Sequence, residues 1–322
     1  MATVLVLVAI ADGAADKVSA QALTLGRDLA AGGAVHALVI GDAAAAAGLG
    51  EWGATHVHVA SHPGLEAGAP DARARVLHDL AGSLDATFVL APGTEEGNTV
   101  VARAAARAGL PFAANCTRVA AGTPVTVTRT RWGGSLLEEA AIHADRAYLT
   151  VAPHAITATA AGGVATVETL TPQLDDADLA VRVTGRVPAP SGGVSLADAK
   201  VVVSGGRGVG STEGFAPVVE LAGLLGAAVG CSRAVTIAGW RPHTEQVGQT
   251  GTKIAPDMYI ACGISGATQH MAGCKGAKRV LAINKDPEAP IMAAADYAVI
   301  GDVADVLPAI SAEIRRVRDA AG

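Results

Sequence analysis

Aromatic side chains are scarce in this chain: Phe, Tyr and Trp together make up 3% of its 322 residues. Packing must therefore rest on Ala, Val, Leu and Gly. Half of the residues are hydrophobic, enough for two buried cores. Cysteine is also scarce, and Cys116, Cys231, Cys262 and Cys274 show no CxxC spacing. That argues against a zinc ribbon or an iron–sulfur cluster and leaves reduced, structural thiols of a cytoplasmic protein as the expectation. Positive charge is not in excess. The net charge of -6 argues against nucleic acid or an anionic membrane surface as the main partner. Long apolar helical runs are missing. The run at residues 4–11 lacks a basic leading region and is too short to span a bilayer, so a buried first strand, and no membrane insertion, is expected. No Ser-His-Asp order and no pair of carboxylates stands out as a hydrolytic site.

What is present is an alternation of short apolar runs with helical patterns. Strands are expected at 3–10, 35–40, 55–59 and 86–91. Helices are expected at 17–31, 43–48, 71–80 and 96–108, with Gly32-Gly33 and Gly109 as natural stops. Apolar strands alternating with helices indicate a mainly parallel α/β sheet. From about Asn115 the texture turns Thr- and Val-rich. The segments 123–131, 135–141, 148–152 and 164–170 read as strands added antiparallel to the same domain. The stretch VPAPSGG at 187–193 has no periodicity and reads as a linker. The expected organisation is an N-terminal α/β domain with added antiparallel strands, 1–190, and a C-terminal parallel-sheet domain, 191–322.

His56 and His58 alternate with Val57 and Val59, so they share one strand face, and His62 follows. A metal site is one reading of the three. Solvent-facing residues of an edge strand are the favoured one, because no carboxylate follows them nearby until Glu66.

The C-terminal domain is the informative part. VVVSGGRGVG (201–210), AAVGCSR (227–233), YIACGISGATQH (259–270), VLAINKDP (280–287) and YAVIGD (297–302) are each an apolar run ending in small or polar groups; QVGQTG (246–251) is a sixth such cluster without the run. Ligands of open parallel sheets bind outside the carboxyl ends of the strands. SGGRGVG departs from a Rossmann fingerprint, because Ser211 stands at the third glycine. Alone it is a cofactor loop or a plain tight turn. Arg207 inside it is a candidate phosphate contact. Ser232-Arg233 can donate to an anion or an electron-rich ring. Ser265 either caps the helix expected near Ala267 or binds phosphate. His270 is either a structural hydrogen-bonding residue or, one turn from that loop, a functional one.

The string SGGRGVGSTEGF…LGAAVGCSRA…QVGQTGTKIAP…YIACGISGATQHMAG…INKDPEAPI…ADYAVIGD resembles the alpha subunit of electron transfer flavoproteins over nearly all of 201–302. The N-terminal half is similar more weakly, mainly through its first strand and residues 92–116. The resemblance implies FAD held by the C-terminal domain. Its contacts would be Arg207, Ser232, Arg233, Val247, Gly248, Gln249 and Thr250, then Ser265, Gly266, Ala267, Thr268, Gln269 and His270. Asn284, Asp302 and Val303 would hold the AMP end. Arg233 and Thr250 would lie at the flavin ring, with the Thr250 hydroxyl near N5, and His270 near its C2 carbonyl. Thr268, Cys274 and Gly214 depart from the family pattern, and Thr268 could alter the flavin's potential.

The resemblance further implies a heterodimer with a beta subunit that binds AMP or a second FAD, with the N-terminal domain contributing to the contact. The pair would carry electrons, without substrate chemistry of its own, from flavoprotein dehydrogenases of the acyl-CoA type to a membrane quinone oxidoreductase. An alternative within the family is electron bifurcation from NADH. An NAD-dependent enzyme on a related nucleotide fold is the reading from another class, and a visible flavin spectrum would exclude it.

Overall fold

The computed structural model describes residues 1–41, 44, 46–66, 68–134, 136–185 and 194–321. The chain divides into two compact units, Met1–Arg186 and Val187–Gly322. The expected linker at 187–193 lies outside the described residues.

In the first unit, β1 (Val4–Val8) is followed by a small hairpin, β2 (Ile10–Ala11) with β3 (Ala14–Ala15), and by α1 (Lys17–Ala30). Asp16 starts α1 by accepting a hydrogen bond from the Ser19 amide at 2.6 Å. Next come β4 (Val35–Ile40), β5 (His56–Ala60), α2 (Pro63–Glu66), α3 (Pro70–Ser83), β6 (Phe88–Pro92) and α4 (Glu95–Ala108). Thr94 caps α4 through the Gly97 amide, and Gly109 ends it in the left-handed conformation at φ 64°. The unit closes with β7 (Phe112–Ala120), β8 (Val125–Arg131), β9 (Leu136–Ile142), β10 (Ala147–Val151) and β11 (Thr166–Leu170).

Apart from β2 and β3, these strands form one nine-stranded sheet in the order β11-β5-β4-β1-β6-β10-β7-β8-β9. Two apolar cores lie on its faces. One is built on Val4, Val6, Val8 and α1, the other on Leu5, Leu7 and helices α3 and α4.

Two expectations are corrected here. Within this sheet only β7, β8 and β9 pair antiparallel; β10 runs parallel between β6 and β7, and β11 runs parallel to β5. The reason is visible in β10, all five of whose residues are buried, as befits a central strand covered on both faces. The second correction concerns the histidines. β5 is not an edge strand, because β11 covers its outer side, and His58 is buried at 7% exposure. Of the helix expected at 43–48, residues 43 and 45 lie outside the described set; a 3-10 turn occupies Ala46–Trp52.

The second unit contains β12 (Val201–Gly205), α5 (Ala216–Leu225), β13 (Ala228–Cys231), α6 (Arg233–Ile237), β14 (Met258–Cys262), α7 (Thr268–Cys274), β15 (Val280–Asn284), α8 (Pro290–Ala294), β16 (Tyr297–Ile300) and α9 (Val303–Ala321). Its sheet is wholly parallel, in the order β13-β12-β14-β15-β16. The order reverses on either side of β12, so the carboxyl ends of β12, β13 and β14 flank the place where a crevice opens in such sheets. Among the described residues, no helix is long and apolar enough to cross a membrane.

Candidate functional site

A cleft of about 450 Å³ opens at those strand ends. Most of its walls are loops that leave parallel strands, and the loops are stitched together through the backbone. After β12, the Gly206 amide donates to the Cys262 carbonyl at 2.8 Å, and the Gly208 amide to the Gly263 carbonyl at 2.9 Å. A Cβ on Gly208 would stand 2.5 Å from the Gly263 Cα, so this approach requires glycine. After β13, the Ser232 amide donates to the Gly205 carbonyl at 3.0 Å. The QVGQTG segment, which follows no strand, is held by bridges from Cys231 to Gln246 and from Val247 to Thr252. The Gln249 amide donates to the Gln269 carbonyl at 2.7 Å, tying it to α7.

Twelve of the residues expected from the sequence line this cleft. They are Arg207 after β12; Ser232 and Arg233 after β13; Val247, Gly248, Gln249 and Thr250; Ser265, Ala267, Gln269 and His270 after β14; and Asn284 after β15. The structure brings them together from five separate stretches of chain. Four lie outside the lining. Gly266, at φ +82°, packs against Ile291. Thr268 is exposed at the start of α7. Val303 is buried in the core with Leu307, and Asp302 accepts from the Ala304 amide at 2.9 Å and pairs with Lys285.

The electrostatics favour an anion. Arg207 and Arg233 are exposed, and among the described residues neither has a carboxylate partner. Other cations of the same unit are engaged: Arg241 with Glu245, Arg279 with Asp296, Arg315 with Glu220 and Lys278 with Asp257. The hydroxyl of Ser232 makes no capping bond to α6, and the residue preceding α7 is Ala267, so Ser265 does not cap that helix. Asn284 is oriented from both ends, donating to the Ile264 carbonyl and accepting from the Asp286 amide.

His270 is 6% exposed, and burial lowers its pKa to about 4, partly offset by the nearby Val247 main chain. The imidazole is therefore neutral at pH 7. Its Nε2 lies 2.7 Å from the Tyr259 hydroxyl, while Nδ1 is buried without a hydrogen-bond partner. Burial also pushes the Cys231 thiol beside the cleft up to about 12, so it stays protonated. All four cysteines are free and buried.

Residues not singled out from the sequence complete the site. Gln246 is buried and accepts at Oε1 from the Thr236 hydroxyl at 2.7 Å, and its Nε2 donates to Thr250 Oγ1 at 3.0 Å. Its place at the head of QVGQTG was the available signal. Tyr259 sits in an apolar strand pattern that gives no hint of its hydroxyl's partner. Gly208, Gly263, Ile264, Asp286 and Ala289 also line the cleft.

These features test whether a flavin dinucleotide fits. Two uncompensated guanidiniums and a glycine cradle suit a pyrophosphate, and a buried imidazole nitrogen without a partner suits a polar ring edge. The residues fit.

The histidines of the first unit form a different arrangement. His36 of β4, which the sequence reading passed over, stacks on His56 with centroids 4.7 Å apart, and its Nδ1 lies 3.0 Å from His58 Nε2. His62 stands apart and accepts from the Gly64 amide. Among the described residues, no group of three or more His, Cys, Asp or Glu is arranged to hold a metal ion. Burial, then His56 and His58, lower the His36 pKa to about 4; burial also lowers that of His58, against the pull of Glu168.

Comparison with known proteins agrees with the geometry. Residues 195–275 match the family model described as the electron transfer flavoprotein FAD-binding domain, and residues 4–176 match the electron transfer flavoprotein domain. The chain is 35% identical to the electron transfer flavoprotein subunit alpha of Bacillus subtilis, over 98% of both chains. It is 39% identical to that of Mycobacterium leprae, over 98% of this chain and 99% of the relative. It is also 37% identical to protein FixB of Clostridium saccharobutylicum, over 95% and 94%. With both units matched and full-length similarity at these levels, the chain belongs to the electron transfer flavoprotein alpha-subunit family.

Proposed function

We propose that this chain binds FAD in the C-terminal cleft and works as one half of a heterodimeric electron carrier. Its electrons come from flavoprotein dehydrogenases of the acyl-CoA type and go to a membrane quinone oxidoreductase. The observation that carries the reading is the pair of exposed, unpaired guanidiniums, Arg207 and Arg233, over a glycine cradle at parallel strand ends. Bound FAD would supply the one- and two-electron redox chemistry. Arg207 would bind the pyrophosphate, with Ser265 and the loop amides beside it. Asn284 would hold the adenylate half; Asp302 and Val303 lie outside the cleft lining. Arg233, Thr250 and His270 would surround the ring with a cation, a hydroxyl and a neutral imidazole. Such preorganised groups favour the negative charge that reduction places on the ring.

A beta subunit is proposed as the obligate partner, carrying AMP or a second FAD. Exposed apolar residues support a covered surface. Trp132, Leu136 and Leu137 project from the β8–β9 hairpin, with Trp132 at 81% exposure. The experiment is co-expression with the beta subunit and a visible absorption spectrum of the purified pair. Flavin bands are expected, together with bleaching by an acyl-CoA dehydrogenase and its substrate. A colourless pair overturns the reading, and oxidation of NADH by the pair assigns it to the bifurcating role instead.

A further inference from the structure

Asp286 is the one carboxylate among the described residues that line the cleft, whose two cations, Arg207 and Arg233, favour an anion. An exposed negative charge in such a place repels the phosphates that the arginines attract. Among the described residues no cation pairs with it. Lys285, its neighbour in the chain, pairs with Asp302 at 2.5 Å instead, and neither of those two lines the cleft. Both arginines follow β12 and β13, whereas Asp286 follows β15, on the far side of β14. The cleft therefore has a cationic side and an anionic end.

The position of this charge is fixed by a short hydrogen-bond chain. Asn284 Nδ2 donates to the Ile264 carbonyl at 2.9 Å, and Asn284 Oδ1 accepts from the Asp286 amide at 3.1 Å. One asparagine side chain thus ties Asp286 to the residue beside Ser265, in the loop read above as a phosphate contact. Asp286 Oδ1 accepts from the Glu288 amide at 2.9 Å, which spends only part of the acceptor capacity of a carboxylate. In a nucleotide the group joined directly to the phosphate is the ribose, and the base lies farther off. A carboxylate this close to the phosphate loop reaches the sugar first. It accepts from hydroxyls and repels a phosphate ester built on them.

We propose that Asp286 sets the specificity of the adenosine end of the cleft: it accepts from the ribose hydroxyls of an ADP moiety and excludes ADP moieties that carry a phosphate on the 2′ or 3′ oxygen. The proposal rests on the reading of the cleft as a flavin dinucleotide site. Nucleotide sites of parallel sheets use an acidic residue on the ribose hydroxyl in the same way, and an arginine where a 2′-phosphate is admitted. No cation of the lining stands at this end to admit one. The effect is to keep the cleft for FAD among coenzymes that share its ADP half but bear one phosphate more. A carboxylate that only closed its own turn onto Glu288 would make no such distinction.

The test is competition against FAD for the flavin-stripped heterodimer, followed by flavin fluorescence. Two pairs of competitors differ by a single phosphate: NAD⁺ and NADP⁺ at the 2′ oxygen, dephospho-coenzyme A and coenzyme A at the 3′ oxygen. In wild type the phosphorylated member should compete about tenfold less well, the scale of a carboxylate facing a phosphate dianion in water. Asp286→Asn keeps an acceptor for the Glu288 amide and removes the charge, so the gap should shrink to within about twofold. Glu288→Gln makes the same change of charge outside the lining and should leave the gap as in wild type. A gap in one pair alone that Asp286→Asn closes supports the proposal and assigns the contact to that oxygen. Equal competition within both pairs in wild type overturns it while the flavin reading stands, and so does a gap that persists in Asp286→Asn. With FAD bound but no competition from either pair, the cleft does not take the ADP moiety by itself, and the proposal falls. If the heterodimer takes up no FAD, the flavin reading fails, and calorimetric titration with the same pairs decides the proposal by the same gap.

Discussion

Gly208 and Gly263 pack backbone to backbone: a Cβ added to Gly208 would stand 2.5 Å from the Gly263 Cα, and one added to Gly263 would stand 2.6 Å from the Gly208 Cα. This contact joins the loops after β12 and β14 and sets the floor of the cleft.

Gly208→Ala should therefore be expensive. The obstacle is backbone, which cannot swing aside, and overpacking of this kind costs about 1–3 kcal/mol. Gly223→Ala is the control, because nothing lies within 4 Å of its Cβ position and it sits inside α5. That change should stabilise by up to about 1 kcal/mol through helix propensity. Thermal denaturation with flavin content measured alongside checks both; equal melting temperatures for the two variants would refute the contact's role.

Loss of either cleft guanidinium should weaken FAD binding by about 1.5–3 kcal/mol, the worth of a charge-assisted hydrogen bond. That is roughly a 10- to 150-fold rise in Kd. Arg207→Ala and Arg233→Ala, titrated with FAD by fluorescence quenching, give the numbers. Ser265→Tyr, which fills the loop, should lower affinity as well. Unchanged Kd in all three variants would mean that the phosphates lie elsewhere.

Acid should destabilise the protein in a defined window. His270 has a folded pKa of about 4 against an ordinary 6.5. A base with a depressed folded pKa binds fewer protons in the native state. Its contribution is intact above about pH 6.5 and is lost as pH falls towards 4. The loss from His270 is on the order of 3 kcal/mol. His36 has the same direction and window in the first unit. Hydrogen exchange at pH 7 and pH 5 should show β4 and β14 losing protection. His36→Gln should spare β4 alone, and equal loss at β4 in that variant would remove His36 as the cause.

The exposed hairpin should matter only to assembly. Trp132→Arg should cost about 2 kcal/mol of heterodimer affinity if Trp132 anchors the partner, as buried interface tryptophans do. Analytical ultracentrifugation of the co-expressed pair measures this, and the flavin spectrum of the C-terminal unit should not change. A pair as tight as wild type would place the partner on another surface.

The sequence alone determined the periodicities and the strand ends. Short apolar runs that stop at GGRG, CSR, GISG and INKD are local signals, because a buried parallel strand and the glycine turn after it are encoded within about ten residues. Arg207, Ser232, Arg233, Ser265 and His270 were legible for that reason, and the other seven cleft residues came through the family resemblance. Which strand lies beside which was left to tertiary structure. Residues 148–152 and 164–170 read alike as added strands, yet one is inserted at the centre of the sheet and the other covers its edge. That second placement covered His58, and the pairing of β4 with β5 brought it to His36, 22 residues away in sequence. The same holds within the site: Tyr259 became the partner of His270, and Gln246 the partner of Thr250, only when their loops were packed together. Hydrogen-bond partners and proton positions depend on distances between elements. Those distances come from the packing of whole faces, which no local pattern carries.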